Sequence, residues 1–524
     1  MEEYLSDNKV AANVRDALQS VARGDADNYD QLVEIMNHSE YLSDDEEAML
    51  VTCLKALSRA VAVIDVDQHE KLLQSIFGMN MWKYRPHVLD ALMDFITRLA
   101  TSDAKYFDSS LQMLVRNFMP AISKSSVKKL NLPCGLAKKD HVLHRVNSTL
   151  VNITEIMPLA PRSLSPIISQ RMPHISADEA LMAVYVENML RLESSTIGNL
   201  VGSEMLISAV VYRLVELVVE IGWDAIVQPE PSKGIFDVDD GFKLVNVKEV
   251  ISIADKLDSL MVLTCQHLKS CAENGRLSEV FEALVHSFRF TVLNTHKSKF
   301  VQFVMFYACS LDPRKCGGQL ATTFLNVFTC NSTGNPLITR MSAVSYLASY
   351  LSRGKFLDKT IIIDTLRSLL DWCLDYCSEE KTLNPEAHRL FYSGYQAAMY
   401  VLCFRMTEML GDPKIYQFPL QLIFEHSLNP LKVCLPSIVE EFLRQARATS
   451  LYMASDKVSN NLLEADFSMA CGGMERLDMF FPFDPCLLKK CSETFITPNY
   501  LFWSNVVLPY GDEEDFSAEE QIGD

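Results

Sequence analysis

The densest group of chemically capable side chains is a run of hydroxyls and lysines: Ser123, Lys124, Ser125, Ser126, Lys128 and Lys129. Lys138, Lys139 and Arg145 follow, opposed only by Asp140. Hydroxyls beside cations are substrates for phosphorylation, and a phosphate bringing about −1.5 to −2 charges would cancel the local positive field. Two readings stand for this run: a solvated loop between helices, or a charged contact that phosphorylation switches off. The fourteen cysteines contain no Cys-x-x-Cys pair. Cys373 and Cys377 share one helical face, and Cys265 with His267 has no matching second half, so buried free thiols in a reducing compartment are expected. His141 and His144 lie three apart with Asp140 as their one neighbouring carboxylate and no second ligand pair, and read as surface residues. Phosphate-cradling glycine loops, nucleophile elbows and His-Glu-x-x-His are all missing, so neither an enzyme nor a cofactor or metal is expected.

The elements that carry these side chains are helical. Ser43 with Glu46 forms a capping box ahead of the stripe Leu50, Cys53, Leu54, Leu57, Val61 and Ile64. Pro86 opens a helix burying Val88, Leu89, Leu92, Phe95, Ile96 and Leu99, and Asp103 caps the next, with Phe107, Leu111, Leu114 and Phe118 inward. Asp140 is expected to start a further helix, and Pro166, Pro336 and Pro385 to occupy first turns. Asn429 is expected to cap a helix beginning at Pro430, and Pro436 to begin another with Ile438, Val439, Phe442 and Leu443 inside. Three rings, Phe480, Phe481 and Phe483, cannot continue a helix through Pro482 and Pro485 and read as an extended plug.

Helix pairs recur at about forty residues with no sharp repeat, the pattern of a degenerate HEAT-type array. The expected fold is all-α, a HEAT-like superhelix with an irregular aromatic-rich C-terminal cap. Its parts read as one half over 1–228, an acidic loop over 229–243, a second half over 244–468, the cap over 469–510 and an acidic tail over 511–524. A net charge of −19 argues against strong direct binding of nucleic acid, which needs a basic face. No signal peptide is visible over Met1–Val10, and the apolar run Phe300–Leu311 is too short for a bilayer, so no membrane partner is expected.

Five runs carry a resemblance: Phe300–Tyr307, Ser345–Phe356, Phe391–Ala397, Leu428–Pro436 and Leu477–Pro485. In order and spacing they resemble the TIF-IA family of initiation factors specific to RNA polymerase I. The N-terminal third matches more loosely through Leu72–Ile76 and Trp82. The resemblance implies a non-catalytic bridge in the nucleus and nucleolus. It would bind RNA polymerase I near its stalk and deliver it to the promoter core factor under control of phosphorylation. It leaves open whether the free protein forms a homodimer. Anchored on Leu72–Ile76 and Trp82, the family's serine patch falls on Ser58, Thr101 and Ser102, with two further positions at Asp65 or Val66 and at Asp67. The run Leu351–Lys355 matches a segment linked in the family to core-factor contact, which makes Leu351, Arg353 and Lys355 contact candidates. Two departures accompany the match, a short acidic loop at Asp237–Asp240 and no serine- and proline-rich extension after Tyr510. Helical periodicity alone fits a general scaffold or transport adaptor equally well.

Overall fold

The computed structural model describes residues 2–37, 42–121, 130, 132–221, 226–227, 243–244, 248–295, 298–330, 334–378, 384–451 and 488–509. Contacts divide the chain into two compact units, Met1–Arg213 and Leu214–Asp524. The two-residue strands Ile226–Val227 and Lys243–Leu244 pair antiparallel, and helices dominate the rest of the described residues.

The first unit holds α1 (Glu2–Val21), α2 (Asp27–Asn37), α3 (Asp44–Arg59), α4 (Glu70–Gly78), α5 (Pro86–Ser102), α6 (Ala104–Arg116), α7 (Pro133–Ile156), α8 (Ala160–Gln170), α9 (Glu179–Glu193) and α10 (Thr196–Val201). Odd helices pack on odd and even on even: α1 on α3, α3 on α5, α5 on α7; α2 on α4, α4 on α6, α6 on α8. This two-layer stack is what repeated helix pairs form when each pair's apolar face is covered only by its neighbour. The capping box is present, Ser43 N–H donating to Glu46 Oε2 at 2.7 Å and Glu46 N–H to Ser43 Oγ at 3.4 Å. Asp103 caps α6 by accepting from Lys105 N at 3.0 Å. Asp140 does not start a helix. Pro133 occupies the first turn of α7, and Asp140 sits within it, bound to Arg191 at 2.6 Å. Pro166 likewise lies inside α8, whose first turn is occupied by Pro161.

A helix crossing the boundary, α11 (Ser203–Glu220), precedes α12 (Lys248–Glu273), α13 (Leu277–Ser287), α14 (Gln302–Leu311), α15 (Gly318–Thr329), α16 (Leu337–Arg353), α17 (Lys359–Cys377), α18 (Arg389–Met409), α19 (Leu420–Phe424), α20 (Pro430–Val433) and α21 (Pro436–Ala448). Pro336 is the residue just before α16, and Pro385 opens a 3-10 turn capped by Asn384. Again α16 packs on α18 and α18 on α21, with α15 on α17 and α17 on α19 in the other layer. Every residue of α18 from Leu390 to Met406 is buried, and its polar members find partners there, Gln396 accepting from Leu435 N–H and Arg405 donating to Leu351 O. Gly394 makes this fit possible, because a Cβ there would stand 2.6 Å from Phe328 Cζ. The helix from Pro436 buries Ile438, Val439, Phe442 and Leu443. Asn429 precedes Pro430 but makes no side-chain cap. It adopts a left-handed conformation (φ 46°), which asparagine tolerates better than most residues.

No helix among the described residues is long and apolar enough to cross a membrane. Described cysteines are free. Burial pushes the Cys53 and Cys316 thiols up to about 11, and Cys373 and Cys403 well above the usual range. Nucleophilic thiolates are therefore disfavoured at these four positions. His144 is exposed and His141 half-buried.

Candidate interaction surfaces

The hydroxyl-bearing surface of the first unit gathers at the ends of α3 and α5. After α3 the chain makes a 3-10 turn, Val61–Val63, that packs on α5, and Tyr106 OH donates to Ile64 O at 2.7 Å. Ser58 thus lies near the same end of the stack as Thr101 and Ser102. Thr101 Oγ1 donates back to Thr97 O at 2.8 Å, and Ser102 Oγ to Leu99 O at 2.8 Å. Ser102 is exposed and Thr101 half-buried, whereas Ser58 Oγ is buried without a hydrogen-bond partner. Of the three, Ser102 is the hydroxyl a kinase reaches without opening the fold. Asp65, which shares one matched patch position with Val66 as the alternative, accepts from the backbone N–H groups of Gln68 and Asp67 at 3.1 and 3.0 Å. The Gln68 bond leads in holding its carboxyl below the ordinary range, so this surface already carries fixed negative charge. The run Ser123, Lys124, Ser125, Ser126, Lys128 and Lys129 lies outside the described residues, as do Asp237–Asp240 and the ring-rich run Leu477–Pro485.

In the second unit, Leu351–Lys355 ends α16 and is stitched to residues far along the chain. Leu501 N–H donates to Arg353 O at 2.7 Å and Lys355 N–H to Asn499 O at 3.0 Å, with Gly354 and Tyr500 facing each other in an antiparallel bridge. The Arg353 guanidinium stands 4.3 Å from the Phe404 ring centroid and 5.2 Å from that of Tyr500. It also donates to Leu501 O and Tyr400 OH, each at 3.2 Å. Arg405 Nε donates to Leu351 O at 3.0 Å, and its Nη2 to Gly354 O. Arg405 and the Leu501 N–H therefore answer the orphan carbonyls at the negative dipole end of α16. Leu351 is 0% and Arg353 1% exposed, whereas Lys355 is open to solvent. A partner at this segment meets Lys355; Leu351 and Arg353 are spent on the interior.

The segment that closes over this joint is anchored at both ends. Asp258 of α12 accepts from Lys490 N and Cys491 N at 2.7 and 2.8 Å, capping the short helix Lys489–Cys491. Thr407 Oγ1 donates to Val507 O at 2.6 Å. Between them Tyr500, fully buried, meets Phe303, Phe306 and Phe502. Of the cap expected over 469–510, the described residues 488–509 form short helical turns. Its two polar anchors were missed, because a lone aspartate and a lone threonine, each inside a helix, carry no local signal.

The two surfaces sit in a chain whose matches to known proteins run from end to end. A family model described as RNA polymerase I specific transcription initiation factor RRN3 matches residues 3–240 and 230–507. The chain belongs to that family. The RNA polymerase I-specific transcription initiation factor RRN3 of Mus musculus is 26% identical over 545 residues, spanning 93% of this chain and 79% of the relative. Its counterpart in Schizosaccharomyces pombe is 25% identical, spanning 98% and 89%. The crystal structure of RNA Polymerase I Transcription Initiation Factor Rrn3 aligns with a TM-score of 0.73 at 20% identity, over 95% of this chain and 99% of that one, and shares its fold. The five sequence runs thus led to the right family, and the HEAT-like all-α class holds within the RRN3 family member described here.

Proposed function

We propose that this RRN3-family chain is an RNA polymerase I-specific initiation factor. It binds the polymerase through the Ser58/Thr101/Ser102 end of the first unit and bridges it to the promoter-bound core factor through the Lys355 region. It acts without catalysis, in the nucleus and nucleolus. The observation that carries this reading is the family match over nearly the whole described chain. The geometry supports control by phosphorylation at Ser102. A phosphate there would sit at the C-terminal end of α5, where the helix dipole is negative, and beside Asp103, so it would strain the last turn and repel an acidic partner.

Mixing the purified chain with purified RNA polymerases I and II and following co-elution on a sizing column tests the assignment. Selective co-elution with polymerase I is expected. Binding to neither, or to both alike, overturns it in favour of a general helical scaffold or transport adaptor. The double substitution Thr101→Asp and Ser102→Asp should weaken that co-elution with the fold kept and only a small loss in melting from the negative charge at the end of α5, and unaltered co-elution would remove this face from the interface.

A further inference from the structure

We propose that the partner meeting Lys355 also reads the outer side of the C-terminal segment, with Trp503 as its main apolar anchor. This rests on the reading of Leu351–Lys355 as a core-factor contact. Within those five residues Leu351, Ser352, Arg353 and Gly354 are all buried, and only Lys355 faces solvent. A single exposed ion pair changes affinity by no more than about fivefold. A specific interface also covers about 800 Å² on each partner. One lysine cannot supply that, so its neighbours must.

Those neighbours are set by the pairing of Arg353 and Lys355 with Leu501 and Asn499. Continuing outward from the bridge, Phe356, Leu501, Phe502 and Trp503 are half-buried, and Val507 is 71% exposed. The Trp503 ring stands edge-on to Phe404 at 4.9 Å, on the same Phe404 that carries the Arg353 guanidinium, so it is held in place rather than free to swing. A half-exposed tryptophan already immobilised loses little side-chain entropy on binding, and tryptophan is among the residues most enriched at binding hot spots. The partner this surface fits is a protein face offering a carboxylate to Lys355 beside an apolar pocket for Trp503. A chain of net charge −19 repels an acidic partner over most of its surface, so the lysine fixes where such a face can land.

Full-length Trp503→Ala, Trp503→Phe, Lys355→Glu and Val507→Arg variants are titrated against purified promoter-bound core factor. Amide exchange at Lys355 and Leu501 reports whether the joint is intact. The expected result is a loss of about 30-fold for Trp503→Ala, the hot-spot threshold. Most of it should return in Trp503→Phe, with a loss of about fivefold for Lys355→Glu. Where Trp503→Ala speeds exchange at Leu501, Val507→Arg decides, since that side chain points to solvent: weakened binding supports the surface and unchanged binding overturns it. Weakening by Lys355→Glu alone, with Trp503→Ala within about threefold of the parent, overturns the inference and leaves the core-factor reading standing. No effect from any variant overturns both.

Discussion

Tyr500→Ala removes a ring with no solvent exposure, 5.0 Å from Phe502, 5.7 Å from Phe303 and 6.0 Å from Phe306 between centroids. Burying a large aromatic takes about 150–250 Å² out of water, which at about 25 cal/mol per Å² is about 4–6 kcal/mol. Ring-to-alanine deletions in cores cost about 3–5 kcal/mol. The walls here come from α14, α16 and the C-terminal segment itself and are tied by main-chain bonds, so they collapse poorly, and we expect about 4 kcal/mol. The cost falls first on the joint. Native-state hydrogen exchange should show the Leu501 and Lys355 amides up to about a thousandfold faster, since 1.4 kcal/mol is a factor of ten. Tyr500→Phe keeps the ring and should stay within about 1.5 kcal/mol of the parent, the worth of one hydrogen bond. A loss below about 1 kcal/mol in Tyr500→Ala, with both amides exchanging at the parent rate, would refute the view that this ring holds the joint together.

Gly394→Ala sets a helix-propensity gain of about 1 kcal/mol against overpacking of about 1–3 kcal/mol where the new methyl meets Phe328. The expected outcome is a net loss of up to about 2 kcal/mol by denaturant melting, reversed to a gain when Phe328→Leu opens the space. Asp65 is predicted to titrate below an ordinary aspartate because its carboxylate accepts backbone N–H bonds from Gln68 and Asp67. A depressed folded-state value means its contribution is present above the unfolded pKa and fades as pH falls through the folded one. Side-chain carboxyl NMR should therefore give a midpoint under about 3.9, and Asp65→Asn should flatten the acid limb of the stability curve.

What could be read from the sequence was what neighbours in the chain decide. The Ser43–Glu46 box, the Asp103 cap and the helices opened by Pro86 and Pro436 depend on residues within one turn, and all four are present. Where a local rule had a rival nearby it failed. Pro133 claimed the first turn that Asp140 was expected to supply, leaving Asp140 to pair with Arg191, and Asn429 used its tolerance of left-handed backbone in place of its capping ability. The contact segment divided in the same way. That α16 ends at Arg353, just ahead of Gly354, is a matter of neighbouring residues. That Arg353 turns inward between Phe404 and Tyr500 is set by partners 51 and 147 residues away, which periodicity cannot report.

The stitching of α16 to the C-terminal segment also sets an order of events during synthesis. Phe303 and Phe306 leave the ribosome about two hundred residues before Tyr500, the ring that will cover them. At about 5–20 residues per second that is about 10–40 s in which an aromatic face waits without its lid. For that interval the nascent second unit presents the kind of surface that chaperones bind, and a chain stalled shortly before residue 488 would keep presenting it. The same joint that fixes Lys355 in the finished protein therefore makes the synthesis of residues 488–509 the step that covers this face.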